Sequence, residues 1–482
     1  MVKLRNEATR DRASNTLVRH TLIANPMNTL RNEESFELTI RGHLHTRTRA
    51  LISNADGLVI AKTKPMRELP SGESLRICMI VSNDMLNDPR VARHAAVLGA
   101  HGFKVTVVCP LSGRTSRTEE RTGYVIRRVR SELFDYLKIM VKRRNPSQTS
   151  PPKAQTAPQP PPRLIARKKT LAWLKKVILT LVSLLLLQLA LIREARRTQA
   201  HVYCANDLDT LPIALIAAGF DAKAVYDSHE LWPDMLLGIP EFYRRILRSL
   251  EKISIKRTHA VMTVNEFIAD VLKSRYSIKC PVLVVYNTPA TFEINRRHRT
   301  NRDSKIVLYQ GLFMPERGLE NLVKSSQYLL PDVRIVLRGY GGLESELRRL
   351  ASRRRNVRFD RPVAMQELVK AAQSAHVGVV SYLPTNLCNY LASPNKLFEY
   401  IQAGLPIAAS DMPFMRKIIL ENDIGVLFDP RDPESIARAL NKATRTVELS
   451  RYRRNLTQVA EKYNWENESR KLLSLYSSFK HA

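Results

Sequence analysis

The sequence predicts an α/β protein in which two Rossmann-like parallel-sheet domains face each other across a crevice, with an apolar insert in the first. Three observations lead there. Apolar strand-like runs alternate with amphipathic helical runs in two waves, one opening at Leu75 and the other after Asn287-Thr288-Pro289. Polar clusters follow successive strands directly, where open parallel sheets form their ligand crevices. A proline-rich stretch and a long apolar run interrupt the first wave without ending it. The expected units are an accessory or partly disordered extension (1–74), a first Rossmann-like domain (75–288, with an insert over 145–197), a second (289–460) and a C-terminal helix (461–482).

Residues 1–74 are basic and weakly patterned; FELTIRGHL is their one strand candidate. From Leu75, LRICMIVSN reads as a buried strand, DPRVARHAAVLGAHG as an amphipathic helix ending in glycine, and FKVTVVCP as a second strand, parallel to the first by its crossover length. The loop between strand and helix carries Asn83 and Asp84 but no G-x-G-x-x-G, which removes the main support for a dinucleotide-binding oxidoreductase. GYVIRRV adds another strand.

The insert begins with Asn145–Arg163, a proline-rich linker, and continues into an almost unbroken apolar run from Val177 to Ile192. Sixteen residues fall short of the roughly 20 that a spanning helix requires. Lys168, Lys169, Lys175 and Lys176 precede the run and Arg193, Arg196 and Arg197 follow it, so both flanks favour the cytoplasmic side. The expectation is a helix over 164–197 lying in, or dipping into, an anionic membrane surface, and a protein peripheral or monotopic on the cytoplasmic face. A buried helix dressed with surface lysines fits the same letters.

HVYCAND and AKAVYDSHELW are the next strands, joined by the helix of DTLPIALIAAG. Asp207 ends one, and His229 with Glu230 ends the other, placing a histidine among carboxylates at the crevice edge. A basic amphipathic helix, PEFYRRILRSLEKISIKRT, and two further strands complete the first wave. In the second, Gly311, Gly339 and Gly341 follow strand ends, where backbone approaches a ligand closely. Arg317 opens a helix facing the same crevice.

The stretch SPNKLFEYIQAGLPIAAS reads as a helix capped by Ser393 with Pro394 first inside it, a stop at Gly404, and a buried strand. Asn395, Lys396 and Glu399 are its polar positions. Lys396 lies in the first turn, where free N–H groups and the helix dipole attract anions, and Glu399 sits one turn deeper. This pairing fits a ribose–pyrophosphate such as a nucleotide sugar; it also fits a surface Lys–Glu pair at i, i+3.

The net charge is +32 over 482 residues, which favours an anionic partner: nucleic acid, an acidic leaflet or phosphorylated substrates. No nucleic-acid motif is present, and the basic residues crowd around the apolar run, so no nucleic-acid partner is expected. The five cysteines are scattered with no C-x-x-C pair, which predicts reduced, buried thiols and neither zinc nor redox chemistry. No secretory signal is read at the start.

In combination, VSNDMLNDPRV, HVYCANDLDTLP, AVYDSHELW, YQGLFMPERGLENLV, VLRGYGG and SPNKLFEYIQAGLPIAASDMP resemble glycosyltransferase family 4, whose fold is GT-B. The resemblance covers about Leu75 to Phe428 outside the insert. It implies a retaining transferase that moves a sugar from a nucleotide-diphosphate sugar to an acceptor, without a metal or other cofactor; the apolar run and the basic charge point to a lipid-linked or surface-glycan acceptor. It also implies donor ribose on Glu399, pyrophosphate on Arg317 and Lys396, and His229 near the transferring sugar. From their places at strand ends and loops, Asn395, Gly311, Gly339 and Gly341 are expected as further donor contacts, Glu230 and Asp207 as catalytic beside His229, and Asn83 and Asp84 on the acceptor side. Three departures stand out: Leu391 occupies the place of the family's first paired glutamate, the first loop lacks glycines, and no arginine directly follows Gly311. A nucleotide-sugar epimerase of the same architecture and an inactive membrane scaffold are the competing readings.

Overall fold

The computed structural model describes residues 73–130 (apart from 87 and 114), 162–294 and 304–480. FELTIRGHL and the proline-rich stretch up to residue 161 lie outside the described residues.

The first half runs β1 (Arg76–Ile80), α1 (Pro89–Ala100), β2 (Lys104–Pro110), β3 (Thr118–Arg121), β4 (Tyr124–Val129), α2 (Pro162–Arg197), β5 (Val202–Asn206), α3 (Leu211–Ala218), β6 (Lys223–Ser228), α4 (Trp232–Met235), α5 (Glu241–Ile255), β7 (Ala260–Thr263), α6 (Glu266–Tyr276) and β8 (Val282–Val284). Its sheet has the order β3-β4-β2-β1-β5-β6-β7-β8, parallel except for the β3–β4 pair. Every residue of β5 and β6 is buried, as expected where helices cover both faces of a parallel sheet. One apolar core lies on each face.

The second half runs β9 (Lys305–Leu312), α7 (Leu319–Ser325), β10 (Val333–Tyr340), α8 (Glu344–Ala351), β11 (Val357–Asp360), α9 (Leu368–Ala372), β12 (Val377–Val380), α10 (Leu387–Tyr390), α11 (Asn395–Gln402), β13 (Ile407–Ser410), α12 (Pro413–Glu421), β14 (Gly425–Phe428), α13 (Pro433–Ala443) and α14 (Thr446–Lys462). Its parallel sheet is ordered β11-β10-β9-β12-β13-β14 and again has a core on each face. The chain reverses direction across each sheet at β1 and at β9. Ligand crevices form beside the carboxyl ends of strands at such switch points.

Three features differ from the sequence reading. First, α2 is one uninterrupted helix of 36 residues that starts at Pro162, so the linker ends earlier and the apolar run is only its middle. The stretch Val177–Arg197 has a mean hydropathy of 2.0 and is long and apolar enough to cross a membrane, by length and composition. Second, the antiparallel edge strand β3 and the short α10 had no counterpart. Third, the terminal helix divides. It stops after Lys462 and restarts as α15 (Trp465–Ser478), capped by Asn464, whose side chain accepts from the Asn467 N–H. Through Leu472, Leu475, Tyr476 and Phe479, α15 returns to a core of the first half, alongside Leu75, Ile77 and Met79.

Candidate functional site

The second half presents α11 to the crevice. Leu397, Phe398 and Ile401 are fully buried and fix its rotation, and Gly404, with φ 65°, ends the turn after it. The helix starts at Asn395, one residue later than the sequence suggests, so Ser393 does not cap it. The Ser393 hydroxyl is buried in the crevice wall without a partner. Lys396 is in the first turn; its Nζ reaches Tyr309 Oη at 3.4 Å and lies 4.6 Å and 5.2 Å from the Tyr309 and Tyr382 ring centres. The Arg317 guanidinium lies over Tyr382 as well, 4.0 Å from its ring centre. Arg317 stands in a 3-10 turn (Pro315–Arg317) ahead of α7 rather than in the helix itself. Two cations held on aromatic faces thus share one pocket. Burial, then the Arg317 charge, lowers the Lys396 amine to about 7. Burial also raises the Glu399 carboxyl, against the pull of Lys396 and Arg93.

The first half contributes a histidine between two carboxylates. His229 Nδ1 is 3.3 Å from Asp207 Oδ2, and its Nε2 is 3.3 Å from Asp227 Oδ2. Asp207 also accepts from the His229 backbone N–H at 3.0 Å and holds a left-handed backbone, with φ 67°. Strain of this kind in a non-glycine residue costs about 1–3 kcal/mol and collects at functional sites. Asp227 is fully buried, and Arg90 grips both of its oxygens at 2.7 Å and 3.1 Å. Burial opposes an imidazolium at His229, yet the two carboxylates outweigh it and lift the group to about 9. His229 is therefore charged at neutral pH and acts as a donor. Burial raises Asp207 to about 6, the charged histidine limiting the shift.

A cavity of about 550 Å³ joins the two sets. Of the residues singled out in the sequence, it brings together Asp207, His229, Glu230, Asn83, Gly311, Arg317, Asn395, Lys396 and Glu399. Three others are placed elsewhere. Gly339 and Gly341 serve the packing of β10 on the β9 segment: a Cβ on Gly339 would stand 1.8 Å from the Gly311 carbonyl oxygen, and one on Gly341 would stand 2.4 Å from that of Phe313. Asp84 lies off the cavity wall and turns its loop by accepting from the Leu86 N–H. Leu391, where a glutamate was expected, is 1% exposed and packs into a core of the first half.

Several lining or bridging groups were not identified from the sequence. Asp88 caps α1 and accepts from Asn83 Nδ2 at 2.7 Å. Arg93 bonds to Asn287 Oδ1, and Asn287 Nδ2 donates to Asn395 Oδ1 at 2.7 Å, forming a polar chain between the halves. Cys388 Sγ is 3.6 Å from Glu230 Oε2. The available signal was three basic residues, Arg90, Arg93 and His94, near the start of an otherwise amphipathic helix.

The model of the family described as Glycosyltransferase Family 4 matches residues 90–288, and that described as Glycosyl transferases group 1 matches residues 291–462. An uncharacterised glycosyltransferase of Methanocaldococcus jannaschii is 24% identical over 254 residues, which is 48% of this chain and 63% of that protein. The chain thus spans under two thirds of that curated relative. Among solved structures, sucrose-phosphate synthase from Thermosynechococcus elongatus superposes with a TM-score of 0.61 at 17% identity, over 84% of this chain and 98% of that one. HepE of Anabaena, solved with UDP and glucose, superposes with a TM-score of 0.57 at 13% identity, over 84% and 100%.

Proposed function

Because this chain belongs to glycosyltransferase family 4 and has the GT-B fold, we propose that it transfers a sugar from a nucleotide-diphosphate sugar, with retention, to a lipid-linked or glycan-precursor acceptor at the cytoplasmic face of a membrane. One observation carries the reading: Arg317, Lys396 and Glu399 of one half face His229 and Asp207 of the other across a single cavity.

The diphosphate lies against Arg317 and Lys396, the ribose hydroxyls donate to Glu399, and the sugar reaches toward His229. The bond between the anomeric carbon and the diphosphate oxygen breaks, its electron pair leaving with the nucleoside diphosphate. The acceptor hydroxyl forms the new bond on the same face, and its proton passes to the departing phosphate. The two cations stabilise charge that grows on the leaving group, a form of electrostatic catalysis realised in the transition state. His229, held as an imidazolium, donates to the transferring sugar. No metal is assigned a role.

The test is thermal unfolding against a panel of nucleoside diphosphates and their sugars, followed by turnover with the best donor. A ligand that binds only the native state raises its stability by mass action. One nucleotide family should stabilise the wild type, and Lys396→Ala should abolish the shift. Glu399→Gln should weaken donor binding by about 1–3 kcal/mol through the lost charged acceptor. Absence of any nucleotide response would overturn the donor assignment.

A further inference from the structure

Helices α2, α3 and α5 lie side by side on one face of the first sheet, α3 packing against both neighbours. Their inner faces share one core through Leu191 and Ala195 of α2, Leu211 and Ile213 of α3, and Leu247 and Ile255 of α5. Their outer faces therefore form one continuous surface.

That surface is apolar across all three helices. On α2, Leu181, Leu185 and Leu189 are exposed, and beside it stand Ile216 of α3 and Phe220, which is 95% exposed. On α5, Phe242, Ile246, Leu250 and Ile253 follow the spacing i, i+4, i+8, i+11, one stripe along a helix. All four point outward; Phe242 is 66% and Ile253 67% exposed. Soluble monomers rarely expose contiguous apolar surface on this scale, and where they do it marks an interaction site. Exposed Arg245, Lys252 and Lys256 run along one edge of the stripe. Arg196 of α2 donates to the Ile216 carbonyl at 2.9 Å, placing another cation at the α2–α3 seam.

We propose that α5 is a second membrane contact, so that α2, α3 and α5 together dock on a bilayer carrying anionic lipid. The proposal extends the membrane reading made above for α2 and is tested separately from it. The occupant follows from charge and continuity. Apolar residues bordered by lysine and arginine match acyl chains beneath anionic headgroups, and the stripe adjoins a helix apolar enough to enter a bilayer. Docking would hold the segment from His229 to Pro240, which carries α4, runs from the cavity to α5 and exposes Met235 and Leu237, against the lipid.

The experiment is co-sedimentation of the full chain with vesicles of phosphatidylcholine, with and without phosphatidylglycerol. The double variant Phe242→Ser/Ile253→Ser should lose at least about tenfold in partitioning to the anionic vesicles, with its unfolding temperature unchanged. In a second variant, Ile253→Trp, emission should shift to the blue when anionic vesicles are added. Wild-type partitioning of the double variant, or an emission unmoved by vesicles, would overturn the proposal and leave the α2 contact standing. So would loss of self-association with vesicle binding intact, which would identify a second copy as the occupant.

Discussion

Lys396 makes the site's behaviour depend on pH. Its amine titrates near 7 because burial and the neighbouring Arg317 both disfavour the charge. A diphosphate binds the ammonium form, so binding takes up a proton wherever the free amine is neutral. Affinity for a nucleoside diphosphate should be nearly flat below about pH 7 and fall as pH rises above it, by at most about tenfold per unit. Calorimetry in buffers of different ionisation enthalpy measures both the fall and the proton uptake; a flat profile across that range would contradict the assignment. Lys396, Arg317 and His229 could be placed at the crevice from the sequence because each follows a strand or precedes or opens a helix, and Glu399 because it lies one turn below Lys396. Arg90 and Arg93 could not, and Asp227 was visible only as part of the polar cluster that ends its strand. Their importance lies in contacts between residues more than a hundred positions apart, such as Arg90 on Asp227. Gly339 and Gly341 were ambiguous, because a glycine after a strand looks the same whether it clears space for a ligand or for the neighbouring strand.

At the scale of elements, α2 is a core helix over only part of its length. Leu191 and Ala195 near its end are core residues, whereas its middle is exposed. Removing the helix would therefore open the first half's core as well as alter any surface binding. The sharper variant keeps α2 and changes only its outer face. Leu181→Gln/Leu185→Gln/Leu189→Gln should release the protein from anionic vesicles while preserving its unfolding temperature and nucleotide response. Unaltered vesicle binding would assign the contact to another element. Strand and helix types followed from hydrophobic period, but the short α10 did not, because four residues carry no period. It nonetheless shows where position 391 goes: Leu391, just after α10, packs with Cys388 into a core of the first half, where an unpaired carboxylate would be costly to bury.

In the whole molecule, the two halves are joined twice. The chain leaves the first half through Val285–Pro289 and returns through Tyr463–Trp465, and the Trp465 N–H donates to the Pro289 carbonyl at 2.8 Å. Glu466 holds the same crossing from the other side by accepting from Thr291 Oγ1 at 2.8 Å. The alternation of the two waves made both sheets legible; the return of α15 was not, since an amphipathic helix does not reveal which core it will enter. A fragment comprising residues 73–288 lacks Leu472, Leu475, Tyr476 and Phe479, and burying side chains of this size is worth about 1.5–3 kcal/mol each. That is a large share of the about 5–15 kcal/mol that holds a domain together. The fragment should melt well below the intact chain by circular dichroism, and a peptide of residues 465–480 should restore part of the loss. Equal melting temperatures would mean that α15 is only laid against a finished domain. The same feature sets an order of events during synthesis. Domains usually fold in sequence as they leave the ribosome. Here the first half lacks the α15 side chains of its core until the whole second half has been made, and the apolar surface they cover stays open for that interval.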